Sequence, residues 1–185
     1  AGRRRVERDG SEIALPGPGT VAGFPDAPEG NETFFAYTDY LTPQALYRYD
    51  LAKDEVRPFR RPAVPFDASP FLTEQVFYTS RDGTRVPMFI TRRKDAKLDG
   101  TNPTLLYAYG GFQVSLTPTY SGTVGKLWAE RGGVYVYANI RGGGEFGPAW
   151  HQAGLKTKRQ VIYDDFAAVA EDLIARKITS TRRLG

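Results

Sequence analysis

Residues 137–147 read "YANIRGGGEFG", and within them Gly142, Gly144 and Gly147 fit the pattern G-x-G-x-x-G. After an apolar, strand-like run, that pattern is the mark of a turn that cradles a dinucleotide pyrophosphate. The fold turns on whether these glycines serve a phosphate. In a dinucleotide site the first glycine closes the strand directly, and the third lies in a helix packed on that strand. Here Ile140 and Arg141 separate the strand from Gly142. Gly147 is followed by Pro148, and no periodic helix is expected before about residue 160. Asp164, at the sequence distance of a ribose-binding acid, falls inside a helix instead of at the end of the next strand. The context points to a structural glycine loop in another kind of α/β unit.

The flanks of that loop define the unit. "GVYVYAN" (133–139) and "TLLYAY" (104–109) are continuous apolar runs, the pattern of strands buried on both faces. Between them, "SGTVGKLWAER" (121–131) predicts a modest helix capped near Ser121, weakened by Gly122 and Gly125. "VIYDDFAAVAEDLIARK" (161–177) is the clearest helix, with Ile162, Phe166, Val169, Ala170 and Leu173 on one face. Asp164 and Asp165 lie in its early turns, where the macrodipole favours negative charge. This alternation of strand and helix implies a parallel sheet covered by helices, with a further strand expected to begin near Leu184.

Upstream the texture changes. "TFFAYTDY" (33–40), the turn-like "LTPQ" and "ALYRYDL" (45–51) predict an antiparallel hairpin, with Leu46, Arg48 and Asp50 alternating with Tyr47, Tyr49 and Leu51. "LPGPGTVAGFPDAPEGN" (15–31) reads as turns between short strands. One hairpin cannot bury its own face, so it is expected to need neighbours that the chain lacks, leaving an incomplete blade. "RRPAVPFDASP" (60–70) marks a boundary. Beyond it, "EQVFYTSRDGTRVPMFITRRK" (74–94) predicts two strands joined at Asp82-Gly83, with Pro87 favouring an edge position for the second.

Composition narrows the chemistry. With 41% hydrophobic residues the chain can bury a core. Lys and Arg number 25 against 21 Asp and Glu, a net charge of +4. The run Arg3-Arg4-Arg5 lacks interleaved aromatics and reads as a solvated segment, so no nucleic-acid partner is expected. There is no cysteine and one histidine, His151, which leaves neither a thiolate nor a multi-histidine metal site. No apolar run is long enough to span a bilayer, and no membrane partner is expected.

Several motifs converge on one family. "TSRDGTRVPMFI", "LDG", "LLYAYGGF", "ANIRGGGEFG", "WHQAG" and "YDDF", in this order and spacing, resemble the prolyl oligopeptidases of the serine peptidases. "LPGPGTV" and the "YRYDL" hairpin are similar to the last blades of that family's β-propeller. The resemblance implies a seven-bladed propeller capping an α/β-hydrolase domain, a Ser-Asp-His triad between them, and cleavage of short peptides after proline. It assigns residues 1–63 to the last antiparallel strands of the propeller. Residues 64–185 become the first half of an α/β hydrolase, a parallel-type sheet with helices.

Residue by residue, the resemblance implies that the Tyr109 hydroxyl donates to the oxyanion. Phe112 would line the pocket for the proline ring, and Tyr107, Gly110 and Gly111 would shape the turn between them. Asn139, Arg141 and the following glycines would hold the signature loop, without a catalytic role. His151 matches the "WH" position, where a structural or surface role is expected. No cofactor and no metal are implied. The partners implied are short proline-containing peptides and the remainder of the same polypeptide.

The sequence contains no G-x-S-x-G, so it carries no nucleophile elbow. The expectation is a segment spanning a domain junction that ends just before the elbow and is inactive by itself. A makeshift triad of Ser121, Asp164 and His151 fails, because Ser121 is not on a strand-to-helix elbow and the chain order is wrong. Three readings stay open at this level. They are a prolyl oligopeptidase segment, an oligopeptidase cleaving after basic residues, and a non-enzymatic propeller or nucleotide-binding module.

Overall fold

The computed structural model describes residues 13–23 and 30–185. The Arg3-Arg4-Arg5 run and residues 24–29 of the Pro/Gly-rich stretch lie outside the described residues. Two compact units are present. One holds the described residues up to Ala68 with Thr117–Gly122, the other Ser69–Leu116 with Thr123–Gly185.

The first unit is a four-stranded antiparallel sheet in the order β1 (Thr20–Ala22), β2 (Glu32–Thr38), β3 (Ala45–Asp50), β4 (Glu55–Arg60). The alternation along β3 sends Tyr47 and Tyr49 inward, beside Phe35 and Tyr37 of β2. Leu46 and Arg48 face outward. The Phe35 and Tyr47 rings stack at 5.4 Å, and Tyr37 meets Tyr47 edge-on at 5.9 Å. Asp39 closes the β2–β3 connection, its Oδ1 accepting the N–H groups of Leu41 (2.8 Å) and Thr42 (2.6 Å).

The hairpin therefore has the neighbours it was expected to lack. β1 and β4 flank it within the chain, giving a sheet of four strands among the described residues. β4 escapes a sequence reading because "EVRPFR" is charged and contains Pro58. It is an edge strand, with a register shift where Pro58 opposes Tyr47, and both features tolerate proline.

The second unit is a mixed sheet in the order β5-β6-β8-β7. β5 (Phe71–Thr79) and β6 (Arg85–Arg93) form the expected hairpin around Asp82-Gly83, β8 (Val134–Ala138) runs antiparallel to β6, and β7 (Thr104–Ala108) runs parallel to β8. Pro87 sits in an internal strand, against the edge expectation. Its carbonyl accepts the N–H of Asn139 at 3.0 Å, so its nitrogen faces the same side. β8 has already ended there at Ala138, and no ladder bond is lost.

β7 is not doubly buried. Leu106 and Ala108 pack on the core, while Leu105 and Tyr107 are exposed on the other face. Along its outer edge, Thr104 forms a parallel bridge with Leu184, and the Gly185 carbonyl accepts from Leu106 N–H at 2.8 Å. An isolated parallel bridge thus lies at the position where the sequence predicts a further strand to begin.

The segment before β8 is a π turn (Val124–Trp128) followed by a 3-10 turn (Ala129–Arg131), with no side-chain cap. The regular helix expected there does not form, consistent with the low helix propensity of Gly122 and Gly125. The Trp128 indole instead reaches across to donate to the Val134 carbonyl at 2.8 Å. A five-residue helix, α1 (Pro148–Gln152), does follow Gly147, because proline suits a first helical position.

The long helix α2 (Gln160–Ala175) covers one sheet face, packing Ala168, Val169 and Leu173 on Val134, Val136, Ala138, Met88 and Ile90. Its buried stripe keeps Val169 and Leu173 of the predicted one, but Ala168 is buried where Ala170 was expected, and Ala170 is only half-buried. Phe166 is exposed, and Asp165 is the residue turned inward. Leu173→Ala should lower stability by about 2–5 kcal/mol, because a fully buried leucine leaves a cavity. Phe166→Ser should change it by no more than about 0.5 kcal/mol. Chemical denaturation of the two variants checks the corrected stripe.

Candidate active site

Two loops leave the C-terminal ends of the adjacent parallel strands β7 and β8, the edge where open α/β sheets present ligand sites. The first begins at Tyr109. Gly110 takes a φ of +61°, and a Cβ there would fall 2.6 Å from Ile140 Cγ1 and 2.9 Å from the Arg141 carbonyl oxygen. Only glycine meets both demands. Phe112 and Gln113 follow with φ of +51° and +57°, a left-handed conformation that non-glycine residues adopt at a cost of about 1–3 kcal/mol each.

The turn brings the Tyr109 and Phe112 rings together, 6.5 Å apart and inclined by 32°. Phe112 is 85% exposed and Tyr109 45%. Tyr107, grouped with this turn in the sequence, sits on the sheet face instead, its ring 5.0 Å from Tyr137.

The second loop is the glycine stretch. Gly142 has a φ of +93°, and a Cβ on it would lie 2.3 Å from the Gly110 carbonyl oxygen. The fingerprint glycine is thus used for contact with the first loop. Further bonds seal the two loops: Gly144 N–H to the Val114 carbonyl at 3.1 Å, and Asn139 Nδ2 to the Leu116 carbonyl at 2.8 Å. Glu145 Oε1 accepts from Leu116 N–H at 3.0 Å and from Asn139 at 3.2 Å.

His151 of α1 lies across the same seam. Its Nδ1 is 2.7 Å from the Gly142 carbonyl oxygen and 3.2 Å from Gln113 N–H. Nδ1 donates to the Gly142 carbonyl in the tautomer protonated there and accepts from Gln113 N–H in the other. Asp164 sits on α2, bonded to Gln160 and to Arg81.

Arg141 anchors the glycine loop from below. Its guanidinium is 7% exposed, and it grips Asp165, which is fully buried, through Nε (2.9 Å) and Nη2 (2.6 Å). It also bonds Asp82 through Nη1 (2.5 Å) and Nη2 (3.1 Å), and Thr84 Oγ1 at 3.1 Å. Asp165 further accepts the Arg141 main-chain N–H (3.0 Å) and the Ser80 hydroxyl (2.5 Å). The Tyr78 hydroxyl donates to the Asp165 carbonyl at 3.0 Å, and burial pushes its ionisation far above the ordinary phenol value.

Bonding to two carboxylates raises the already high pKa of Arg141. The Arg141 hydrogen bonds hold the Asp82 carboxyl well below the usual carboxylate range. Asp82 and Asp165 have no place in the sequence-derived site. A signal for Asp165 existed: residues 165, 169 and 173 share one helical stripe, and a carboxylate inside an apolar stripe needs a cation beside it.

An antiparallel four-stranded sheet followed by a mixed sheet with its loops gathered at the strand ends fits, together with the family matches, an α/β hydrolase preceded by a β-propeller. Residues 118–185 match the profile of the prolyl oligopeptidase family, and residues 5–62 that of the prolyl oligopeptidase N-terminal beta-propeller domain. The chain belongs to the prolyl oligopeptidase family, whose members are serine peptidases.

An uncharacterized peptidase of Sinorhizobium fredii is 52% identical over 174 residues, 94% of this chain and 24% of that protein. The prolyl endopeptidase of Elizabethkingia miricola is 43% identical over 169 residues, 91% of this chain and 24% of that one. The solved structure of a post-proline cleaving enzyme from Rickettsia typhi superposes with a TM-score of 0.81 at 40% identity. That match covers 94% of this chain and 25% of the other. The chain spans about a quarter of the length of the curated relatives it matches.

The lowered Asp82 carboxyl has a pH consequence. Its contribution to stability is fully present above the unfolded value of about 4 and is lost as pH falls through the folded value. Asp82 is half exposed, so screening limits the effect to about 1 kcal/mol. Denaturant unfolding should show Asp82→Asn less stable than wild type by a constant amount from pH 5 to 7, with the gap closing below about pH 4.

Proposed function

We propose that the protein containing this chain is a serine oligopeptidase that cleaves short peptides on the carboxyl side of proline, and that these 185 residues alone do not turn over a peptide bond. The observation that carries the reading is the "YAYGGF" turn. It leaves a parallel strand at its C-terminal end, with a phenol and an exposed aromatic side by side, in a chain 43% identical to a prolyl endopeptidase. In this reading residues 1–63 close a propeller and residues 64–185 open the hydrolase domain. The remainder of the polypeptide supplies the nucleophilic serine with its acid and base.

The roles follow from the side chains. As a serine oxygen adds to the scissile carbonyl, charge develops on the carbonyl oxygen. The Tyr109 hydroxyl, a donor fixed by the turn, stabilises that charge more in the transition state than in the ground state. Phe112 offers a flat apolar wall to the pyrrolidine ring. No cofactor takes part, because acyl transfer by a serine needs only a base, a nucleophile and oxyanion donors.

The test uses the full-length protein and two matched chromogenic peptides, one with proline and one with arginine before the scissile bond. Preference for the prolyl peptide by about a hundredfold or more in kcat/KM is expected, and equal or reversed preference would overturn the specificity. Tyr109→Phe should lower kcat on the prolyl peptide by about a hundredfold or more through loss of one oxyanion donor. Wild-type turnover in that variant would remove Tyr109 from the mechanism.

A further inference from the structure

We infer that Arg141 is a positioning residue for the Tyr109 hydroxyl, acting by fixing the main chain of residues 140–142 on which the Gly110 turn rests. The inference deepens the proposed function and rests on its assignment of Tyr109. The contact between the two loops is made by main chain on both sides together with the Ile140 side chain. The space beside Gly110 is filled by Ile140 and the Arg141 carbonyl, and the space beside Gly142 by the Gly110 carbonyl. The Gly110 carbonyl lies directly against Gly142 and the Arg141 carbonyl against Gly110, so a displacement of residues 140–142 displaces Gly110 and with it Tyr109.

Residues 140–142 are in turn held by Arg141. Its main-chain N–H and guanidinium both end on Asp165 of α2, and the other edge of the guanidinium ends on Asp82 and Thr84 of the β5–β6 turn. Ser80 faces the same group, 3.3 Å from Nη2. A buried ion pair is a weak source of net stability, since desolvation offsets much of the attraction. What a planar guanidinium adds is direction, because its donors form a rigid fork. Here the fork is gripped from two elements at once, which sets both the position and the orientation of the loop.

The experiment is a double-mutant cycle in the full-length enzyme. Arg141→Lys keeps the charge and loses the fork. It should lower kcat on a prolyl peptide about tenfold or more, with KM within about twofold. In the Tyr109→Phe background the same change should cost less than about twofold, because the donor it positions is gone. Equal losses in both backgrounds would mean a structural role only and would overturn the inference.

Asp82→Asn removes only the half-exposed partner and is the variant to use if Arg141→Lys does not fold. The same non-additivity is expected, at about threefold. Should the enzyme fail on prolyl peptides, or Tyr109→Phe prove silent, the functional reading fails by itself. Amide hydrogen exchange then decides the inference. Exchange in residues 109–114 about tenfold faster in Arg141→Lys, with β5 and β6 unchanged, supports it. Unaltered exchange in residues 109–114 overturns it.

Discussion

The hydrolase-type unit is organised around one electrostatic demand. Asp165 lies on the buried stripe of α2 among Val169, Leu173 and Ala168, with no exposed surface. An ionised carboxylate in that setting must be matched in charge and in hydrogen bonds, or it would be protonated or expelled. Arg141 meets the demand from the loop after β8, and Ser80 from the hairpin turn. Three segments distant in sequence are thereby tied at one point: a hairpin turn, a strand-end loop and a helix. The ordered loops at the strand ends follow from that tie.

The glycine loop shows how one pattern serves two kinds of chemistry. In a nucleotide site, glycines let main-chain N–H groups approach a phosphate. Here the approach is made by another stretch of the same chain. The Gly110 carbonyl lies where a larger residue at position 142 would put its Cβ, and the Gly142 N–H is turned away to the Trp150 carbonyl at 3.0 Å. Glycine spacing records how closely something comes, and its surroundings say what comes.

How far the sequence could be read follows from the range of each interaction. The period-2 pattern of residues 45–51 separated Tyr47 and Tyr49 from Leu46 and Arg48 as the strand does, since strand geometry alone decides which side chains share a face. The 3.6-residue period located α2 within two residues at each end. Expectations failed where a longer-range contact outweighed a local preference. Pro87 is internal because β8 stops short of it, and β4 forms in spite of its proline because it lies at an edge. Asp165 displaced Phe166 from the core because its partner lies 24 residues away. The Tyr109 and Phe112 rings are brought together within one local turn, so both fall in a single short motif. The anchor beneath them was not legible, since nothing in "ANIRGGG" or "YDDF" read alone points to the other.

Strand order in the mixed sheet carries a consequence for the growing chain. In the blade every strand pairs with its neighbour in sequence, so each hairpin can close as it is made. β7 differs, because its two edges belong to β8 and to Leu184, both synthesised later. Until they arrive, "TLLYA" is a bare apolar segment with open hydrogen-bonding edges, and closing a long loop is entropically slow. The strand that presents the candidate site is thus among the last to be secured, and it is where a stalled nascent chain is most exposed to aggregation or to capture by a chaperone.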